Sequence, residues 1–210
     1  VSHIREGHTR FNATHLTQAL EASLLRLQTD YLDLYQLHWP ERNTNYFGQL
    51  GYQQSEQEQD LTPIKQTLQA PYSLLNRSYE IGNAEISHRE NVGLLAYSPL
   101  GFGVLSGKYL NNQMPADARI TKWPQYERYS SPQGIAATQA YVDLAIKHDL
   151  DPAQMALAFV NAQPFVTSNI IGATTMTQLE SNLKSVDIRL SDEVREGIAQ
   201  IHQQHPNPAP

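Results

Sequence analysis

The sequence predicts an α/β protein assembled from parallel βα units. Two observations carry the prediction. Short apolar or β-branched runs alternate along the chain with stretches of helical periodicity, and helix-start signatures separate the two kinds of segment. No two segments repeat closely, and the alternation argues against a protein built of hairpins.

The elements follow in order. Leu16, Leu20, Leu24 and Leu27 recur at helical spacing, with Asn12 or Thr14 available as the cap. A strand is expected at 31–38, followed by a polar and aromatic loop over 39–61. Pro63 opens a further helical stretch, and Ser78 caps a helix that runs to about Arg89. The run GLLAY at 93–97 reads as a buried strand. A long loop then carries Gly101, Gly103 and Gly107 on to Ser131. Residues 132–148 are helical. Asp151 followed by Pro152 is a cap with proline at the first helical position. A short β-branched strand is expected at 168–172. Thr174 or Thr175 caps the next helix, with Met176, Leu179 and Leu183 facing inward. Ser191 caps the last helix, whose inward stripe is Val194, Ile198 and Ile201. The tail HQQHPNPAP either frays or lies across the surface.

The 210 residues are 40% hydrophobic, sufficient for one sizeable core, and carry a formal net charge of −6. No basic block marks a nucleic-acid or anionic-membrane surface, so neither partner is expected. The chain has no cysteine, which excludes disulfides and thiolate metal sites and fits a cytoplasmic location. No run approaches the ~20 apolar residues of a membrane-spanning helix. His202 and His205 share a helix face at i, i+3 without acidic or cysteine partners, so no metal is expected there. The sequence does not fix an oligomeric state.

One stretch raises a question of chemistry. In DYLDLYQLHWP, residues 30–40, strand alternation puts Leu32, Leu34, Gln36 and His38 on one side, and Pro40 ends the ladder. From this stretch alone His38 reads as a core histidine bonded to a backbone carbonyl.

Four longer phrases change that reading. SLLRLQTDYLDLYQLHWP, PYSLLNRSYE, LLAYSPLGFGVLSGKYL and IIGATTMTQLESNL, in this order over essentially the whole chain, resemble the aldo-keto reductase family. The resemblance is strongest to its bacterial Tas-type members, relatives of the potassium-channel β subunits. It implies a TIM (β/α)8 barrel that reduces carbonyl compounds with NADPH. An alternative within the same resemblance is a nucleotide-binding regulatory or interaction subunit of the channel type, with little or no turnover. A barrel of this type needs about 250 residues and eight strands. The strands near 31–38, 93–97 and 168–172 fit its fourth, seventh and eighth. The expectation is therefore a single barrel domain over 1–210 that lacks its N-terminal part and a segment between residues 70 and 71.

The resemblance also implies site residues. The family's catalytic tetrad is Asp, Tyr, Lys and His. His38 corresponds to the histidine that places the substrate carbonyl, and the other three are expected ahead of residue 1. Tyr97 corresponds to the aromatic residue that stacks on the nicotinamide. Ser98, Leu100, Gly103, Ser106 and Lys108 correspond to the loop over the pyrophosphate, where small residues admit the backbone and a lysine adds a cation. Gly172, Thr174, Thr175, Gln178 and Asn182 correspond to the turn and helix start that take the adenosine 2′-phosphate and adenine. GFGVLSG is not the dinucleotide fingerprint of a Rossmann fold, because its third glycine falls one place late and no helix follows at once. Trp39, Tyr46, Phe47 and Trp123 are candidates for the rim of a pocket that takes a small-molecule carbonyl substrate, or for a loop's own small core. Asn76 and Arg77 read as structural partners of the following helix.

Overall fold

Three short runs of apolar and β-branched residues become strands in the computed structural model, which describes residues 13–31 and 67–209. The chain divides into two units, residues 1–62 and 63–210. In the first, α1 spans Ala13–Leu27, as the leucine spacing predicts. Leu20 and Leu24 are half-buried, whereas Leu25 and Leu27 are exposed. The strand expected at 31–38 falls almost wholly outside the described residues.

In the second unit β1 (Thr67–Pro71), β2 (Gly93–Tyr97) and β3 (Val166–Ile170) form a parallel sheet in the order β1-β2-β3. Parallel strands need crossovers, and these are helical as expected. After β1 come a 3₁₀ turn at Ser78–Ile81 and α2 (Asn83–Arg89). After β2 come the short α3 (Arg119–Lys122), α4 (Pro132–Lys147) and α5 (Pro152–Asn161). After β3 come α6 (Met176–Lys184) and α7 (Asp192–Gln204). Among the described residues the sheet is an open arc of three strands, not a closed barrel. Three strands cannot supply the curvature and shear that closure of eight requires.

The caps follow the sequence closely. Asp151, Thr175 and Ser191 each accept a hydrogen bond from a first-turn amide as expected, and Ser131, not singled out in the sequence, does the same for α4. Four expectations are corrected. Where the helical stretch expected from Pro63 reaches Thr67 the chain is strand β1, whose pairing with β2 prevails over the local helical reading. Ser78 caps nothing: its hydroxyl donates to Asn76 Oδ1, and the helix starts anew after Gly82. The last strand lies two residues earlier than 168–172, and the pairing carries an irregularity between Leu94 and Leu95. In α6, Met176 and Leu183 are exposed, and it is Asn182 that is buried, donating to Gly172 O.

Gly93 shows why β2 and β3 fit. A Cβ there would lie 1.6 Å from Thr167 Oγ1, so only glycine allows the two strands this approach. Leu94, Leu95 and Ala96 are buried, as suits the central strand of a parallel sheet. Behind the sheet Tyr72 stacks on Phe159 at 5.9 Å and meets Phe165 edge-on at 5.2 Å, while Tyr141, Met155, Val160, Val194 and Ile198 complete the core.

The loop after β1 holds a polar cluster inside this core. Arg77 donates through Nε and Nη2 to both oxygens of Glu80, and Tyr72 OH donates to Glu80 Oε1. The guanidinium also covers Phe159 at 5.2 Å. Asn76 accepts from the amide and hydroxyl of Ser78. Asn76 and Arg77 are thus structural, as expected. The C-terminal tail does not fray. Asn207 Oδ1 accepts from Arg77 N at 2.7 Å, Ala209 N donates to Leu75 O at 3.2 Å, and Pro208 O accepts from Ser131 Oγ.

Tyr141 lies 1% exposed beside this cluster, and its hydroxyl has no partner. A buried hydroxyl that bonds to nothing contributes only its desolvation cost. Tyr141→Phe is therefore expected to hold or raise stability, within about 1 kcal/mol, as read from the urea midpoint. A loss of 2 kcal/mol or more would contradict the assignment.

Candidate functional site

Parallel pairing brings the ends of all three strands to one edge, where sites in parallel α/β sheets form. Tyr97, the last residue of β2, pairs with Pro71 on one side and Ile170 on the other. It is half-buried at the sheet's lip. Burial pushes its phenol above the ordinary range, with Arg128 nearby acting the other way. The loops that begin at Ser98 and at Ile171 leave neighbouring strands at this same edge, so both candidate cofactor segments flank Tyr97.

The loop after Tyr97 is a series of tight turns. Ser98 O accepts from Gly101 N, Leu100 O accepts from the amides of Gly103 and Leu105, and Val104 O accepts from Gly107 N. Gly101, Phe102 and Gly103 all have positive φ, at 54°, 58° and 89°. Ser106 Oγ donates to Gly103 O at 2.8 Å. Lys108 folds back over this turn: a Cβ on Gly103 would stand 2.7 Å from its Nζ. Burial lowers the Lys108 ammonium below its ordinary range, and Arg119 adds to the effect. Ser98, Leu100, Gly103, Ser106 and Lys108 thus form one continuous loop structure.

The structure adds two residues that the sequence reading passed over. Arg119 and Arg128 lie on the segment that returns toward this loop, with guanidinium carbons 5.3 Å and 5.7 Å from the Phe102 ring centre. Ion pairs among the described residues engage Arg77, Arg89, Lys122 and Arg195, leaving Lys108, Arg119 and Arg128 without a carboxylate partner. Three unneutralised cations around one turn of a chain of net charge −6 favour an anionic group there. The available signal was a pair of arginines inside a long loop whose length alone suggested function.

The second segment follows β3. Thr175 Oγ1 accepts from Gln178 N, and Gln178 Oε1 accepts from both the amide and the hydroxyl of Thr174. This reciprocal arrangement fixes the start of α6 with Thr174, Thr175 and Gln178 on the surface. Asn182 faces inward and holds the Gly172 carbonyl, so Gln178 and Asn182 serve different faces of the turn. Asn182 also lines a groove of about 450 Å³ between α5, β3 and α6.

Of the rim candidates, Trp123 follows α3 and is 49% exposed, and nearby in sequence Tyr126 meets Phe102 edge-on. His38, Trp39, Tyr46 and Phe47 lie outside the described residues. No group of metal-ligating side chains occurs among the described residues, and none of the described helices is long and apolar enough to cross a membrane.

Comparison with known proteins follows the same outline. The model of the aldo/keto reductase family matches residues 2–65 and 57–203. The chain is 46% identical over 239 aligned positions to the protein Tas of Escherichia coli K12, covering 93% of this chain and 69% of Tas. It is 28% identical to the L-glyceraldehyde 3-phosphate reductase of the same organism, over 90% of this chain and 62% of that one. Among solved structures it is similar to a glycerol dehydrogenase from Gluconobacter oxydans, with a TM-score of 0.53 and 27% identity. That likeness takes in 67% of this chain and 43% of the dehydrogenase.

Proposed function

The chain belongs to the aldo/keto reductase family of oxidoreductases, and on that premise we propose that it takes part in NADPH-dependent reduction of small aldehydes or ketones. The observation that carries the reading is the turn after β2, where Lys108, Arg119 and Arg128 converge without carboxylates next to the half-exposed ring of Tyr97. A dinucleotide needs this combination: an aromatic face for its nicotinamide, and cations with close backbone for its phosphates.

The residues present fit such a cofactor. Tyr97 would cover one face of the nicotinamide and leave the other to the substrate. The turn through Gly103 would receive the pyrophosphate, with Lys108 and Arg119 as counter-charges. Gly172, Thr174 and Thr175 offer a capped helix start to the adenosine 2′-phosphate, with Gln178 beside it and Asn182 holding the Gly172 carbonyl from the inner face. When bound, the reduced nicotinamide supplies the hydride that adds to the carbonyl carbon. His38 would donate a hydrogen bond to the carbonyl oxygen and orient it. The proton that completes the alcohol comes from a general acid, which we assign to no residue of this sequence. Trp39, Tyr46 and Trp123 would border the substrate.

The two matched stretches of the family model overlap at 57–65, ahead of β1. The omission expected between residues 70 and 71 falls within β1, and the overlap supports placing the interruption ahead of Thr67 instead, with β1, β2 and β3 as neighbouring staves.

The test is consumption of NADPH by the intact natural protein with an aromatic aldehyde, paired with NADPH binding followed by cofactor fluorescence. Turnover is expected, and His38→Ala should lower it about 100-fold while binding is kept. Binding without turnover would favour the nucleotide-binding regulatory reading, and absence of binding would end both.

A further inference from the structure

Phe102 occupies a place where glycine would be easier. Its φ of 58° is left-handed, and it stands between Gly101 and Gly103, which share that sign. A bulky residue in this region of backbone space is held there by its surroundings. Here the surroundings are specific. The ring meets Tyr129 edge-on at 5.1 Å and Tyr126 at 5.3 Å. Arg119 and Arg128 approach its centre at 5.3 Å and 5.7 Å. Arg128 is held a second time, by donating to Tyr129 OH and lying 4.7 Å from that ring. Tyr129 itself is 1% exposed and packs against Gly101, where a Cβ would touch its ring at 3.2 Å.

A guanidinium on a surface loop ordinarily samples many rotamers, and ordering it on binding costs entropy. An aromatic face removes part of that cost beforehand, because the cation is attracted to the ring while its N–H groups stay free to donate. Salt bridges would have fixed the same arginines but cancelled their charge. The ring therefore keeps two cations both ordered and unneutralised beside Lys108.

We propose that Phe102 is a positioning residue for cofactor binding: a platform that pre-orients Arg119 and Arg128 toward the phosphates of the dinucleotide. This rests on the dinucleotide site described above and assigns a role to a side chain that the bound molecule need not touch.

Phe102→Gly is the informative variant, since glycine accepts the left-handed turn and removes only the ring. In the intact natural protein it is expected to raise the NADPH dissociation constant about 5- to 10-fold. The corresponding KM should rise alike, with kcat little changed. Phe102→Tyr keeps the aromatic face and should bind within about 2-fold of the natural protein. A structural role alone would weaken binding regardless of Arg119. The platform predicts that Phe102→Gly loses the part of its effect that runs through Arg119 when Arg119→Met is already present. Unchanged binding in Phe102→Gly, or losses that simply add in the double variant, would overturn the proposal. Failure of the natural protein to bind NADPH would instead remove the dinucleotide site and this inference with it.

Discussion

Glu80→Ala is expected to destabilise the C-terminal unit by about 3 kcal/mol, the largest loss foreseen for a single polar side chain in it. Glu80 accepts three hydrogen bonds: two from the Arg77 fork, each 2.7 Å, and one from Tyr72. The side chains of Arg77 and Glu80 are 17% and 29% exposed, and Tyr72 is wholly buried. Truncating Glu80 leaves a cation under the protein surface and a phenol with no acceptor, and that desolvation cost outweighs the net worth of the pair. Glu80→Gln keeps an acceptor for Tyr72 and should lose about half as much. The measurement is the guanidinium midpoint at constant m value. A shift worth less than about 1 kcal/mol would show the cluster to be dispensable.

The same cluster sets an acid limit. Burial by itself raises the Glu80 carboxyl, but hydrogen bonds from Arg77 and Tyr72 outweigh it and hold the group below its ordinary value of 4.5. Its contribution is present above that value and is lost as pH falls through the depressed one. His202, at the inner side of α7, acts in the same sense. Burial and then Arg77 hold its imidazole below the ordinary 6.5, so stability begins to decline as pH drops under that figure. Glu80→Ala should consequently flatten the decline below pH 4.5, and the His202 component should persist.

Lys108→Ala is the second large effect, and it falls on binding. The ammonium lies over the Gly103 turn and 5.2 Å from the Tyr109 ring centre, with no carboxylate partner among the described residues, so the fold gains from its charge a single cation–π contact. Charge-assisted contacts to a phosphate are worth about 1.5–3 kcal/mol, which predicts a 10- to 100-fold rise in the NADPH dissociation constant. Thermal stability should stay within about 0.5 kcal/mol of the natural protein. Affinity should also become less sensitive to salt, because one screened charge has gone. Gly103→Ala would force a methyl group to within 2.7 Å of the same nitrogen at a φ of 89°, and should mimic part of the loss. Equal affinities for the natural and Lys108→Ala proteins would remove the phosphate from this turn.

What could be read in advance divides along physical lines. Caps were legible because their chemistry is local: Asp151, Thr175 and Ser191 each act within three residues of themselves. So was β2, a continuous apolar run bounded by turns. By contrast, β1 was hidden because the alternation in TLQAP covers only four residues and follows a proline that reads as a helix start; pairing with β2 makes it extended. The orientation of α6 was misread because a buried amide, Asn182, outcompetes Met176 and Leu183 for the inner face. Among the candidate site residues, Tyr97 and the Ser98–Lys108 loop were nominated through a sequential motif that resembles a known family. Arg119 and Arg128 join them only through packing on Phe102, which no spacing rule reveals.

The clasp formed by Asn207 and Ala209 has a consequence for the order of events at the ribosome. Its partners, the Arg77 amide and the Leu75 carbonyl, are synthesised some 130 residues before it. They must wait, solvated, while every intervening helix emerges. The nascent C-terminal unit can gather its sheet early, yet it cannot lock until residues 205–209 leave the exit tunnel. A chain that stalls before residue 205 would therefore be unusually open to proteases.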